Sequence, residues 1–457
     1  MATTVGLLRD RISNLPDSIL VTILSSLPID KAARCSILAS RWRHLFPSTL
    51  LDFRAFTCSG RLDIVKAVTA ILAAHPTEPV RSFVMGELYV RPEDRCVVDG
   101  WLRDLANRGI QELSLYFRCS DEIPECIFAC SSLKRLHLTN GTFPDAAAAA
   151  TSLARLTEIN LSSVRISEDS LNSLLSHCVA LEHLTIDSRI NSLHLKSRSI
   201  KILNCSGCDF KELYIHDCPN LERVLDRYLQ QRKVHTIKIV HAPKLEFLGY
   251  IGMSNNMEIG DTIFTEKIID VKNIMPSMKT LAVDLSCDQQ GYIKEGYIDW
   301  IMQLLKFFPC LETLYIRSSS WSGAKDVVSG SWEMQRSVPC VLEKVVFQVY
   351  RGHKWQRAMA KFLHRRSKVL KIMEFHCMDD GSREGFGKTP TEEWVREQKE
   401  HLCLDSTAAR DASFLFFKTQ MVVNHLEVCH EERYRRNYYR NMYFDESILH
   451  GESGRAY

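Results

Sequence analysis

Apolar residues recur along this chain with two different periods. Near the N-terminus the spacing is helical: Ile19, Leu20, Ile23, Leu24 and Leu27 return every three or four positions. Leu15-Pro16-Asp17 reads as the helix entry, because proline at an early helical position gives up an N–H that has no partner anyway. Pro28 stops the helix. Asp30 is suited to cap a second one, with Ala33, Ile37 and Leu38 on its apolar face. A third segment, Ser40-Arg41-Trp42-Arg43-His44-Leu45-Phe46, ends at Pro47. Further along the period drops to two. LKRLHL (133–138), LTEINL (156–161), LEHLTI (181–186), INSLHL (190–195), FKELYI (210–215), VHTIKI (234–239), MKTLAV (278–283) and LETLYI (311–316) share an alternation that predicts short strands. Their aliphatic residues point to one side and the residue between them to the other.

The segments joining these strands differ. ISEDSLNSLLSHC (166–178) is helical in spacing, with Leu171, Leu174 and Leu175 on one face. Between 184 and 215 the strands at Leu184, Leu193, Leu203 and Leu213 leave no room for a helix, so the return there is extended as well. No register emerges between 240 and 275. Beyond 340 the pattern predicts a strand from Leu342 to Val349, a basic helix from Lys354 to Arg366 and a strand from Val369 to Phe375. Trp355, Met359, Phe362 and Leu363 form the helix's apolar face. A polar, Gly-rich loop follows at 379–390. Trp394, Gln398 and Leu402 then have helical spacing, and Ser413 to Phe417 reads as a strand.

The Leu-x-x-Leu-x-Leu phrase is the signature of leucine-rich repeats. Stacked repeats explain how 457 residues fold without one oversized core. Cys130, Cys178 and Cys218 each precede a repeat leucine by three residues, a place for a small buried group with a weak donor. A second reading takes Cys205-x-x-Cys208 with His216 and Cys218 as a zinc set. That set straddles two repeats, and the expectation is no metal and no cofactor. The intervening strand residues His137, Asn160, Thr185, His194, Tyr214, Lys238 and Tyr315 are candidates to face a bound substrate, the tyrosines first because aromatic side chains dominate binding energy at interfaces.

At the N-terminus, three short helices bury little apolar area by themselves and need a covering partner or domain. The order Leu-Pro, Ile-Leu, Ile-Leu, Leu-Pro, Arg34-Cys35-Ser36, Leu38 and Ser40-Arg41-Trp42-Arg43-His44-Leu45 closely resembles the F-box. Without that order, a cap on the next domain or a small bundle would serve equally well. The resemblance implies binding to a Skp-type adaptor, and through it to a cullin scaffold, in an SCF-type ubiquitin ligase. Leu15, Pro16, Ile19, Leu20, Ile23, Leu24, Leu27, Pro28 and Trp42 would form or support the adaptor face. The C-terminal block resembles the FBD region of plant-type F-box/leucine-rich-repeat proteins and departs from it at Ser406-Thr407.

The expected fold is α/β: a three-helix F-box (10–50), a connecting and first divergent repeat region (51–105), an irregular leucine-rich-repeat solenoid (106–339) and an α/β FBD-like closing unit (340–420). The tail 421–457 is basic and tyrosine-rich. Its EERYRRNYYRNMYF run has the charge and stacking groups of a nucleic-acid contact, but it is short, and a net charge of only +3 argues against nucleic acid as a partner. A solvated terminus is the plainer reading.

No secretory signal and no apolar run of spanning length are present, so cytoplasm or nucleus is expected, with no membrane partner and with reduced cysteines. No P-loop, dinucleotide glycine pattern, GxSxG or HExxH occurs. Asp187 and Asp284 lie beside repeat strands without a visible partner base. The expected role is a non-catalytic, substrate-receiving ligase subunit. The alternatives are a repeat scaffold outside any ligase, or a receptor for a small ligand seated in the array.

Overall fold

The computed structural model describes residues 12–48, 51–52, 64–74, 80–87, 92–117, 121–144, 153–206, 211–227, 236–264, 269–270, 274–285, 296–317, 341–378, 391–402 and 412–419, apart from positions 13, 28, 39, 189 and 254. The chain divides into two compact units, Met1–Ile190 and Asn191–Tyr457.

The first unit opens with α1 (Asp17–Ser25), α2 (Ile29–Leu38) and α3 (Ser40–Leu45). Extended backbone at Pro16 ends in a carbonyl that accepts the Leu20 N–H at 3.1 Å, which starts α1. Leu20 and Leu24, one turn apart, are fully buried, as are Ile29 and Ala32 of α2. Arg41 of α3 donates to the Asp17 carboxylate at 2.6 and 2.9 Å and to the Leu15 carbonyl at 2.6 Å. This exposed fork fixes where α3 meets the entry of α1 more than it stabilises the helices, since solvated ion pairs contribute little.

The chain continues through β1 (Leu51–Asp52), α4 (Ile64–Ala74), β2 (Ser82–Glu87), α5 (Arg95–Asn107), β3 (Glu112–Tyr116), β4 (Arg135–Thr139), β5 (Glu158–Ser162), α6 (Glu168–His177) and β6 (His183–Asp187). Strands β1 to β6 pair in chain order and all in parallel. Each parallel step needs a crossover. Here the crossovers include α4, α5, a 3-10 turn at Glu125–Ala129 and α6. Register stacks Phe83, Leu113, Leu136, Ile159 and Leu184 in one row and Met85, Leu115, Leu138, Leu161 and Ile186 in another, all buried. Trp101 on α5 donates from Nε1 to the Thr69 hydroxyl of α4 at 3.1 Å. Ser167 caps α6 by accepting the Ser170 N–H at 3.1 Å.

The second unit coils differently. Its strands β7 (Ser192–Leu195), β8 (Ile202–Ser206), β9 (Glu212–Ile215), β10 (Arg223–Arg227), β11 (Thr236–Ile239), β12 (Phe247–Gly252) and β13 (Asn256–Ile259) alternate between two sheets. Odd-numbered strands form one, completed by the antiparallel β14 (Thr262–Phe264) and β15 (Ile269–Asp270). The even-numbered strands begin the other. It continues in parallel through β16 (Thr280–Asp284), α7 (Tyr297–Phe307), β17 (Thr313–Arg317), β18 (Lys344–Tyr350), α8 (Lys354–Arg366), β19 (Ile372–Met378), α9 (Glu392–Leu402) and β20 (Ser413–Thr419). Extended return segments are thus present where close strand spacing predicts them.

The region without a readable register holds β12, whose pairing with β16 shifts between Leu248 and Ile251. Such a bulge hides a two-residue period. In the closing part, α8 has the expected bounds and buries Trp355, Met359, Phe362 and Leu363. The flanking strands lie a few residues later than expected. On α9, Val395 joins Gln398 and Leu402 in the interior, whereas Trp394 is half-buried, a shift of one position on the helix face. In-register Phe347, Phe375 and Phe416 stack with centroids 5.4 and 4.6 Å apart. The loop 379–390, Ser406-Thr407 and the tail 421–457 lie outside the described residues.

Candidate functional site

Two surfaces carry the candidate residues. The first is the outer side of α1 and α2. Helical geometry divides the N-terminal apolar residues into two stripes. Leu20 and Leu24 face inward. Ile19 and Ile23 face solvent at 45% and 36% exposure, and Pro16 is also exposed. Leu15, Leu27 and Trp42 are half-buried, and Pro28 lies outside the described residues. Ile12 (54%) and Ile37 (75%) are exposed as well, so the apolar face on which the helical pattern puts Ile37 is open to solvent at that position. Single exposed apolar residues are ordinary, but isoleucines repeated along two packed helices suggest a face made to be covered.

The second is the repeat array, where the seven candidates fall into three sets. On the parallel sheet of the first unit, register puts Ser114, His137, Asn160 and Thr185 in one outward row. Its neighbours are polar, with Arg135 paired to Glu112 at 2.6 Å. His137 is nearly buried. Burial, reinforced by Arg135, pushes its pKa down to about 4, so the ring is neutral at pH 7. Its contact with Glu158 at 3.5 Å is therefore no ion pair at that pH.

In the second unit the candidates are divided between two sheets. His194, Tyr214 and Lys238 lie side by side on β7, β9 and β11. The His194 ring meets Tyr214 edge-on at 5.6 Å, and Lys238 sits 5.8 Å over Tyr214 and pairs with Glu258 at 2.9 Å. Tyr315 is on β17, in the other sheet. Alternation alone cannot separate the two, because each sheet buries one of its faces and so has the same period.

Around Tyr315 lies a feature the sequence reading missed. Leu225, Phe247, Tyr250 and Ala282 form a buried cluster with Tyr315 packed against it. The Arg317 guanidinium lies 3.9 Å over the Tyr250 ring and donates to Asp284 from Nε at 2.9 Å and Nη2 at 2.5 Å. Tyr250 donates from its hydroxyl to Gln348 Oε1 at 2.7 Å. Asp284, which had no visible partner in the sequence, is thus matched by a cation one strand away. Burial raises the Tyr315 hydroxyl's pKa.

The repeat cysteines occupy one recurrent turn. The Leu133, Leu181 and Leu221 N–H groups each donate to the carbonyl three residues back, of Cys130, Cys178 and Cys218, at 3.1 Å. All three thiols are buried. Cys218 Sγ donates to the Leu195 carbonyl at 3.6 Å. Of the zinc alternative, Cys208 lies outside the described residues. Among the described residues no three His, Cys, Asp or Glu side chains gather to hold a metal ion, and no helix is long and apolar enough to cross a membrane.

Comparison with known proteins adds two matches. The F-box domain model fits residues 12–54, and the model described as FBD-associated F-box protein At5g56370, LRR repeats, fits residues 98–316. Among Arabidopsis thaliana relatives, the F-box/FBD/LRR-repeat protein At1g13570 is 30% identical over 55% of this chain and 64% of its own length, just under two thirds of that relative. F-box/FBD/LRR-repeat protein At5g56420 is 26% identical over 79% of this chain and 90% of its own length. FBD-associated F-box protein At1g66310 is 25% identical over 82% and 91%.

Proposed function

We propose that this F-box/leucine-rich-repeat chain, of the plant FBD-associated type, is the substrate-receiving, non-catalytic subunit of an SCF-type ubiquitin ligase. F-box domains in general bind Skp-type adaptors. Here α1 and α2 take the adaptor, which links the chain to a cullin scaffold, and the repeat array holds a protein substrate. The observation that carries the reading is the division of the N-terminal isoleucines and leucines. Leu20 and Leu24 hold the helices together, which leaves Ile19, Ile23 and Ile37 uncovered. The reading brings with it a location in the cytoplasm or nucleus, which a fluorescent fusion would check.

The test is capture of a purified Skp-type adaptor by the full chain. Ile19→Asp/Ile23→Asp puts charge on the outer stripe without touching the inner one. Capture should fall at least about thirtyfold, the size of one interface hot spot, with the circular dichroism spectrum unchanged. If the wild type does not retain the adaptor, or the variant retains it equally well, the ligase reading fails and the scaffold reading replaces it.

A further inference from the structure

The outward face of the second unit's larger sheet holds two buried polar donors that bind nothing among the described residues. Register places Asp284, Arg317 and Gln348 side by side on β16, β17 and β18. Arg317 and Gln348 are each only 2% exposed. Arg317 spends Nε and Nη2 on Asp284, and Gln348 uses Oε1 to accept the Tyr250 hydroxyl. That leaves Arg317 Nη1 and Gln348 Nε2 buried and without a hydrogen-bond partner among the described residues. Buried donors are almost always satisfied, so two on neighbouring strands of one row call for an explanation.

We propose that these N–H groups form the polar end of a ligand site that takes a carboxylate, with the adjoining aromatic cluster taking an apolar body. Two donors on adjacent strands, one from a guanidinium, suit an acceptor with two oxygens. Both are shielded from water, so solvent does not compete for them. Asp284 and Tyr250 hold them in place through the Arg317 fork and the Gln348 oxygen. Asp284 balances Arg317, and Glu374 balances Lys344 at 2.6 Å. On the same face, Arg223 lies 4.5 Å over Phe247 and makes no ion pair among the described residues, with Glu222 and Glu246 acting on it from further off. Tyr315, packed against the cluster, is only partly buried. The site goes beyond the ligase reading and does not depend on adaptor binding.

Titration calorimetry on the full chain at millimolar ligand tests it, with phenylacetate, phenylacetamide and N-acetyl-aspartyl-phenylalaninamide as probes. Gln348→Glu keeps the oxygen that Tyr250 needs, gives Arg317 Nη1 a partner and repels a carboxylate. It should weaken binding of the acid at least about tenfold while melting no lower than wild type and capturing adaptor normally. Gln348→Met, which removes the donor without adding charge, should weaken it too and covers the case in which the glutamate variant misfolds. Binding of phenylacetate points to a free small acid, and binding of the aspartyl peptide alone to a side chain of a protein. If wild type binds neither, if the amide binds as tightly as the acid, or if both substitutions leave affinity unchanged, the proposal is overturned.

Discussion

The two units stack the same strand phrase but differ in their outward faces. In the first, the rows flanking the buried leucines hold Glu112, Arg135, Glu158, Ser114, His137, Asn160 and Thr185. In the second, one row runs from Arg223 through Phe247, Thr280 and Thr313 to Lys344, and the next holds Leu225, Ala282, Tyr315 and Val346, so aromatic and aliphatic side chains lie among the polar ones. The return segments differ as well: α5, α6 and a 3-10 turn in the first unit, a second sheet for β7 to β13 in the second. Inward positions are aliphatic in both, except where Phe347, Phe375 and Phe416 continue an inward row of the second unit. The repeat phrase therefore sets how the chain coils, while the intervening residues are free to make one face polar and to set aromatic side chains among polar ones on the other. On this view the second unit should be sensitive to packing and the first to protonation.

The largest effect tests packing. Phe375 sits between Phe347 and Phe416. Phe375→Ala should cost about 3–5 kcal/mol, since truncation leaves a cavity in a closed stack, and urea unfolding of the full chain would show it. Little change would mean that the aromatic row is not what holds this unit.

Protonation comes next. Folding keeps His137 neutral down to about pH 4, whereas its ordinary pKa is 6.5. A folded pKa below the unfolded one means that the unfolded chain binds the proton more readily. Its contribution is therefore complete above the unfolded value and is lost as pH falls from there through the folded one. On the order of 2–3 kcal/mol should disappear across that window. His137→Gln should flatten this part of the pH profile, and an unchanged slope would remove the contrast with the second unit.

Two smaller tests sharpen the comparison. A Cβ on Gly249 would lie 2.5 Å from Ala282 Cβ. Gly249→Ala should cost about 1–3 kcal/mol by overpacking, and Ala282→Gly should restore part of it in a double-mutant cycle. Ser167→Ala, which removes the α6 cap of the first unit, should cost only about 1 kcal/mol. A loss as large as that at Phe375 would show that the helical returns matter more than the rows.

The elements themselves were legible in the sequence. Leu133, Leu136 and Leu138 announce a strand, and the α8 pattern fixes its ends, because burial on one face imposes a period that composition preserves. Which sheet a strand joins was not legible: SLHL at β7 and RLHL at β4 read alike yet serve different sheets. Helix α7 went unnoticed because YIDWIMQLLKF is apolar nearly all round and has no sharp stripe; its residues from Tyr297 to Phe307 are mostly buried. The inner and outer stripes of α1 could not be separated, because Ile19-Leu20 and Ile23-Leu24 are adjacent apolar pairs and only packing decides which member turns inward. The Arg317–Asp284 pair was hidden because its partners lie 33 positions apart.

The recurrent cysteine turn also provides a clock. Burial raises the thiol of Cys130 to about 11 and that of Cys178 to about 12. At neutral pH neither holds an appreciable fraction of the thiolate that alkylating reagents attack. Labelling at these positions therefore waits for the turn to open. With mass-spectrometric readout of each modified cysteine, the chain reports in its native state how often each of these turns opens, with no cysteine engineered into it.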